Sequence, residues 1–173
     1  MARNVEIKAR IQDMEALAAL AARISDTAPT QIVQDDTFFH CPTGRLKLRT
    51  FADGEGELIY YRRADQRGPK ESFYVRSSTA TPETLREALA HAYGISGRVR
   101  KRRILFMVGR TRIHLDTVES LGTFAELEVV LTDGENVADA MAEARRIMAQ
   151  LEIGQSDLVE GAYVDLIATK AAS

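Results

Sequence analysis

The sequence predicts an α+β fold in which an eight-stranded antiparallel β-barrel carries helices packed on its outside. Three observations lead there. Strand-like stretches rich in β-branched and aromatic residues outnumber helical ones. Compact turns join several of them, at Asp53-Gly54 with Gly56, at Gly109 and at Leu121-Gly122, and short connections imply antiparallel neighbours. Eight strands in one domain can close on themselves, which removes exposed edges. An open, curved sheet covered by helices is the rival arrangement.

The elements follow in order. In "RNVEIKARI" (Arg3 to Ile11), Val5, Ile7 and Ala9 fall on one parity and Asn4, Glu6, Lys8 and Arg10 on the other, the period-two pattern of a strand. "DMEALAALAARI" places Asp13 as N-cap before Leu17, Leu20 and Ile24 at helical spacing. "QIVQDDTFFH", "RLKLRTF", "ELIYYRRA" and "KESFYVRSS" are the next four strands. "TPETLREALAHAYG" is a helix with Thr81 as cap, Pro82 at its first position and Gly94 as its stop. "RVRKRRILFMV", "TRIHLDTV" and "FAELEVVL" complete the strands. A helix then runs from Asn136 to a stop at Gly154, and "SDLVEGAYVDLI" from Ser156 predicts a short final helix. The reading is one domain over residues 1–168, with a frayed tail at 169–173.

With 173 residues, 45% of them hydrophobic and 28% charged, the chain suits one globular domain that needs no staples. No stretch approaches the ~18 uninterrupted apolar residues of a membrane span. The charged start lacks the apolar core of a signal peptide, so a cytoplasmic location is the default. Cys41 is the sole cysteine, which excludes an intrachain disulfide and a thiolate metal cluster. A net charge of −2 gives no overall attraction to nucleic acid or to an anionic membrane. Any anion must therefore be held by local clustering of basic residues.

Such clusters occur at strand spacing. Arg45, Lys47 and Arg49 alternate with Leu46 and Leu48. Arg62 shares a face with Tyr60, and in "RVRKRRIL" either Lys101 with Arg103 or Arg98 with Arg100 and Arg102 line up. Arg112, His114 and Asp116 share a parity, as do Glu126 and Glu128. One charged strand face ordinarily means solvent. Here full charges, with one sign dominant in the longest runs, occupy the polar parity of several strands, and like charges at these spacings repel. They make better sense as ligands for a polyanion inside a wet tunnel, whose apolar outer wall the helices cover. Glu6, Asp116, Glu126 and Glu128 add oxygen ligands suited to Mg²⁺ or Mn²⁺. His40, His91 and His114 fall on three different elements without the spacing of a zinc site. No glycine-rich phosphate loop and no nucleophile elbow is present, so phosphate binding must come from side chains.

These fragments together resemble the CYTH family, named for CyaB-type class IV adenylate cyclases and thiamine triphosphatases and also called triphosphate tunnel metalloenzymes. "NVEIK" resembles the family's opening Glu-x-Glu-x-Lys strand, "KLR" and "KRR" its two basic strands, and "HLDTVESLGTFAELEV" its Leu-Asp, Leu-Gly and Glu-x-Glu run. "AYVDL", with Tyr163, is similar to the segment that closes many members. The resemblance covers nearly the whole chain. It implies a triphosphate tunnel in which Lys8, Arg45, Lys47, Arg49, Arg62, Lys101, Arg103 and Arg112 bind phosphate, and Glu6, Asp116, Glu126 and Glu128 hold the metal. Lys8, Arg49 and Glu128 are the expected catalytic residues. Asn4 departs from the pattern, standing where the family has its first glutamate.

The expected activity is divalent-metal-dependent hydrolysis of an inorganic, nucleoside or thiamine triphosphate. Conversion of ATP to cyclic AMP and pyrophosphate is the alternative on the same site, and non-catalytic triphosphate or polyphosphate binding is a third. The expected partner is a small-molecule triphosphate, with neither nucleic acid nor membrane, and a homodimer is compatible with an apolar outer face.

Overall fold

The computed structural model describes residues 2–173. Eight strands form a closed antiparallel barrel in the order β1-β5-β4-β3-β2-β6-β7-β8, so the open-sheet alternative does not hold. The strands are β1 (Ala2–Arg10), β2 (Thr30–Phe39), β3 (Arg45–Phe51), β4 (Gly56–Arg63), β5 (Lys70–Thr79), β6 (Ile95–Val108), β7 (Thr111–Val118) and β8 (Gly122–Leu131). Two meanders, β2 to β5 and β6 to β8, meet edge to edge where β2 pairs with β6. β1 closes the ring on the other side, pairing with both β5 and β8.

Strand parity decides what the barrel encloses. Val5, Ile7 and Ala9 of β1 join Ile113, Leu115, Ala125, Leu127 and Val129 in an apolar layer outside the barrel, where α1 (Met14–Ile24) and α3 (Val137–Gln150) cover it. Leu17 and Ala21 of α1, and Ala140, Ala144 and Ile147 of α3, are the buried stripe facing that wall. The opposite parity, Asn4, Glu6 and Lys8 on β1, faces an internal cavity. The main core therefore lies between barrel and helices, the inversion that the charge pattern required. α2 (Pro82–Tyr93) lies against β2 and β3. Coverage is uneven, since Val33 and Val75 remain about half exposed on the outer wall.

Helix ends follow local chemistry. Asp13 accepts a hydrogen bond from the Ala16 amide at 2.9 Å, and Asn136 one from the Ala138 amide at 3.0 Å. Thr81 occupies the N-cap of α2, but its side chain makes no cap bond. The final helix differs from expectation: Gln155–Asp157 forms only a 3₁₀ turn, and α4 spans Tyr163–Ala171. Residues 169–171 are thus its last turn rather than a loose tail. Gly161, at φ 87°, supplies the left-handed conformation that breaks the two apart. No helix among the described residues is long and apolar enough to cross a membrane.

The segment before α4 returns across the barrel. Leu158 bridges Ala9, the Val159 amide donates to the Lys8 carbonyl at 2.9 Å, and the Gly161 carbonyl accepts from Lys8 Nζ and Arg63 Nη2 at 3.1 and 3.0 Å. α4 then lies against β6, where Gly97 allows the close approach: a Cβ there would overlap Val164 Cγ2. Gly97→Ala should cost about 1–3 kcal/mol through overpacking, lowering the melting temperature by several degrees. In a Val164→Ala background the same substitution should cost less, read by thermal unfolding of the double-mutant cycle. Equal cost in both backgrounds would remove this contact as the cause.

Candidate active site in the barrel interior

The cavity measures about 380 Å³, within the range of small-molecule sites. Its lining carries eight basic side chains against five carboxylates, so the interior favours an anion. β3 supplies Lys47 and Arg49, β6 Lys101 and Arg103, β1 Lys8, β7 Arg112, β4 Arg63 and β5 Arg76.

Two buried aspartates organise the first four of these. Asp36 of β2 is 2% exposed, takes a bidentate pair from Arg49 at 2.7 and 2.8 Å, and binds Lys47 at 2.7 Å. Asp116 of β7 is fully buried, takes a bidentate pair from Arg103 with both contacts at 2.7 Å, has Lys101 at 3.4 Å, and accepts from the Tyr163 hydroxyl at 3.0 Å. The arrangement repeats because Arg49 pairs with Asp36, and Arg103 with Asp116, across adjacent strands. Burial alone would raise both carboxyls, but Arg49 with Lys47, and Arg103 with Lys101, hold them well below the usual carboxylate range. Burial and the neighbouring Arg49 push Lys47 down to about 7 against the pull of Asp36. An anion set beside Lys47 would raise it again.

β8 forms the acidic wall. Glu126 is 2.6 Å from Arg103 and 3.3 Å from Lys8, and Glu128 lies 3.8 Å from Arg112 and 3.7 Å from His114 Nδ1. Burial would raise both glutamates, but the surrounding groups keep them lowered: Lys8, Lys101 and Arg103 for Glu126, and the His114 ring, Arg103 and Arg112 for Glu128. Lys8 Nζ also sits 3.9 Å above the Tyr163 ring.

Most residues expected from sequence meet here. Lys8, Lys47, Arg49, Lys101, Arg103, Arg112, Glu6, Glu126 and Glu128 all line the cavity. Arg62 does not: it is exposed on the outer face, and Arg63, one residue on, points inward and contacts Glu6. The expectation failed because "YYRR" carries the same residue types on both parities, and the barrel register puts Tyr61 and Arg63 inside. Arg45 keeps the parity of Lys47 but lies outside the cavity lining, bound to Asp165 at 2.6 Å and Asp65 at 3.2 Å. Asp116, expected among the metal ligands, has both oxygens committed to Arg103.

Sequence reasoning missed several residues. Asp36 lies in "QDDTFF", whose adjacent aspartates show no alternation; Asp35 faces out to Arg98 at 2.7 Å. Lys70, fully buried with Nζ on the Gln66 carbonyl at 2.9 Å, is pushed down to about 8 by burial and by Arg63. Asn4 lines the cavity with its Oδ1 buried and unbonded among the described residues. His114 lacks zinc-site spacing with the other histidines, yet it shares the parity of Arg112 and faces inward, whereas His40 and His91 are exposed. Burial and Arg103 push its imidazole down to about 4, so it is neutral at physiological pH.

A closed antiparallel barrel with a charged interior and apolar outer wall defines a protein of the charged-tunnel class. Residues 2–163 match the CYTH domain, and the chain belongs to the CYTH family. No curated protein matches it by sequence comparison. Solved structures share its fold. PH1012 of Pyrococcus horikoshii OT3 is 22% identical with a TM-score of 0.85, over 94% of this chain and 98% of that one. A candidate adenylate cyclase of Vibrio parahaemolyticus is 20% identical, TM-score 0.79, over 95% and 97%. HpAC1 of Hippeastrum, a candidate adenylyl cyclase described as having a dominant triphosphatase activity, is 15% identical, TM-score 0.68, over 98% and 96%.

The folded-state pKa of Asp36 is depressed, so its stabilisation is present above the ordinary value of 3.8 and is lost as pH falls below it. Asp36→Asn should cost about 3 kcal/mol at pH 7, the lower end for a broken buried pair because the cavity admits water to both cations. The difference from the native chain should narrow between pH 4 and pH 3, measured by denaturant unfolding. A gap unchanged over that interval would mean the ion pairs are not its source.

Proposed function

We propose that the chain binds a triphosphate inside the barrel and hydrolyses it in a reaction that depends on Mg²⁺ or Mn²⁺. The observation that carries this reading is the pairing, in one cavity, of two Lys-x-Arg clamps set on buried aspartates with a wall of paired glutamates. Family membership supports a triphosphate as substrate. The activity described for HpAC1 favours hydrolysis over cyclisation, which needs a further pocket for the base.

Lys47 with Arg49, and Lys101 with Arg103, grip phosphate oxygens from opposite meanders; each guanidinium keeps its plane because an aspartate already fixes it. Arg49 and Lys8 answer the charge that develops on the transferring phosphoryl group. Arg112, Arg63 and Arg76 extend the cationic surface along the chain of phosphates. Glu126 and Glu128 fit a divalent cation, since an oxygen of each lies within 4.8 Å of the other and both stay ionised. A cation held there would neutralise phosphate oxygens and polarise the bond that breaks. Water is the nucleophile, and no covalent intermediate on the protein is needed.

The test is release of phosphate, pyrophosphate and cyclic AMP from tripolyphosphate, ATP and thiamine triphosphate, with and without Mg²⁺ or Mn²⁺. Metal-dependent phosphate release is expected. Cyclic AMP with pyrophosphate would make it a cyclase, and tight binding without turnover a binder. Glu126→Gln or Glu128→Gln should abolish the metal-dependent turnover while leaving the circular dichroism unchanged, and undiminished turnover would remove that glutamate from the site.

Arg49→Ala should weaken tripolyphosphate far more than monophosphate, because one clamp of several is lost, whereas Arg62→Ala on the outer wall should change neither. Calorimetric titration reads both variants. Equal losses for the two anions in Arg49→Ala would reduce Arg49 to a structural role.

A further inference from the structure

His114 is where the acidic wall stops being an all-oxygen site. It lies on β7 directly opposite Glu126 of β8, with Arg112 opposite Glu128 on the next inward rung. The residue is 5% exposed, lines the cavity, and its Nδ1 is buried with no hydrogen-bond partner among the described residues. Buried ring nitrogens are almost always satisfied, and one left open asks for an explanation. The Glu128 carboxylate, at 3.7 Å, is too far to be that partner. One donor atom each from His114, Glu126 and Glu128 lies within 4.8 Å of the other two, a spread that a single ion at ordinary metal-ligand distances can span.

We infer that Nδ1 of His114 is a third protein ligand for the divalent cation, and that this nitrogen makes the site favour a first-row transition cation such as Mn²⁺ over Mg²⁺. Mg²⁺ is best served by an oxygen-only octahedron with several retained waters. Imidazole belongs to the donors that transition ions accept and Mg²⁺ resists. Asn4 points the same way, since it brings to this cavity a neutral carbonyl oxygen and adds no carboxylate charge to hold a hard cation. This inference rests on the proposal that Glu126 and Glu128 hold a metal, and it adds the identity of the third donor and of the ion.

The test uses the full chain with Mn²⁺ or Mg²⁺ alone and no triphosphate. Pulsed electron paramagnetic resonance of the Mn²⁺-loaded protein should show modulation from a directly bound nitrogen. His114→Asn, which places an amide near the Nδ1 position, should abolish that modulation and weaken Mn²⁺ by about tenfold or more, with a much smaller loss for Mg²⁺ in competition titrations. Mn²⁺ that binds, and is lost in Glu126→Gln, but shows no nitrogen modulation would overturn the role of His114 while leaving the glutamate site standing. Equal loss of Mn²⁺ and Mg²⁺ in His114→Asn would overturn the selectivity. Failure of the native chain to bind Mn²⁺ at all would overturn both this inference and the metal site beneath it. The spectrum of the native chain decides the ligand even if His114→Asn folds poorly.

Discussion

Eight cations cannot share the inside of a small barrel unless charge already buried there answers them. Asp36 and Asp116 do this, and much of the interior is arranged around them. Each is held on a strand next to the one that carries its arginine, so a single carboxylate fixes both a guanidinium and a lysine two residues away. The desolvation that would otherwise protonate the aspartates is outweighed by the cations they hold. The cations in turn are kept in place without being neutralised, because each aspartate offers one charge to two partners. An interior built this way holds its cations in place and still lines the cavity with fewer carboxylates than cations.

That arrangement dictates where the hydrophobic core goes. With the polar parity turned inward, Ile7, Ile113, Leu115 and Leu127 must be buried on the outside, and α1 and α3 are the means. Tyr163 joins the two worlds. Its ring packs edge-on against Phe124 at 5.0 Å in the apolar cluster under α4, while its hydroxyl reaches Asp116 and its face lies under Lys8. A C-terminal helix that could pass for external padding is therefore part of the wall of the site.

Period-two alternation revealed the barrel and most of its interior because strands such as "RLKLR" and "AELEV" separate charge from leucine without exception. Where both parities carry the same residue type, the sequence had no such contrast. "YYRR" and "QDD" are the two cases, and they account for the misplaced Arg62 and the unseen Asp36. Asp116 was recognised as an inward carboxylate, but whether a carboxylate supports a cation or stays open depends on what the neighbouring strand places opposite it. For Asp116 that is Arg103; for Glu126 it is Lys8 on one side and His114 on the other. Such cross-strand partners lie far apart in sequence. His114 was hidden for the same reason, since its meaning comes from β8 and not from its own strand.

The seam between β1 and β8 joins the first strand to the last, and Glu6 meets Glu128 and Lys8 meets Glu126 only across it. These are the most distant pairings in the chain, so their loop-closure cost is the largest of any strand pair. A nascent chain that has made β1 through β7 still has an open edge and no acidic wall beside Lys8. Completion of the fold and assembly of the site are then one event, and a ligand that needs both halves of the seam can bind only the finished molecule. Such a ligand acts as a latch on the ring, adding its binding free energy to the closed state alone.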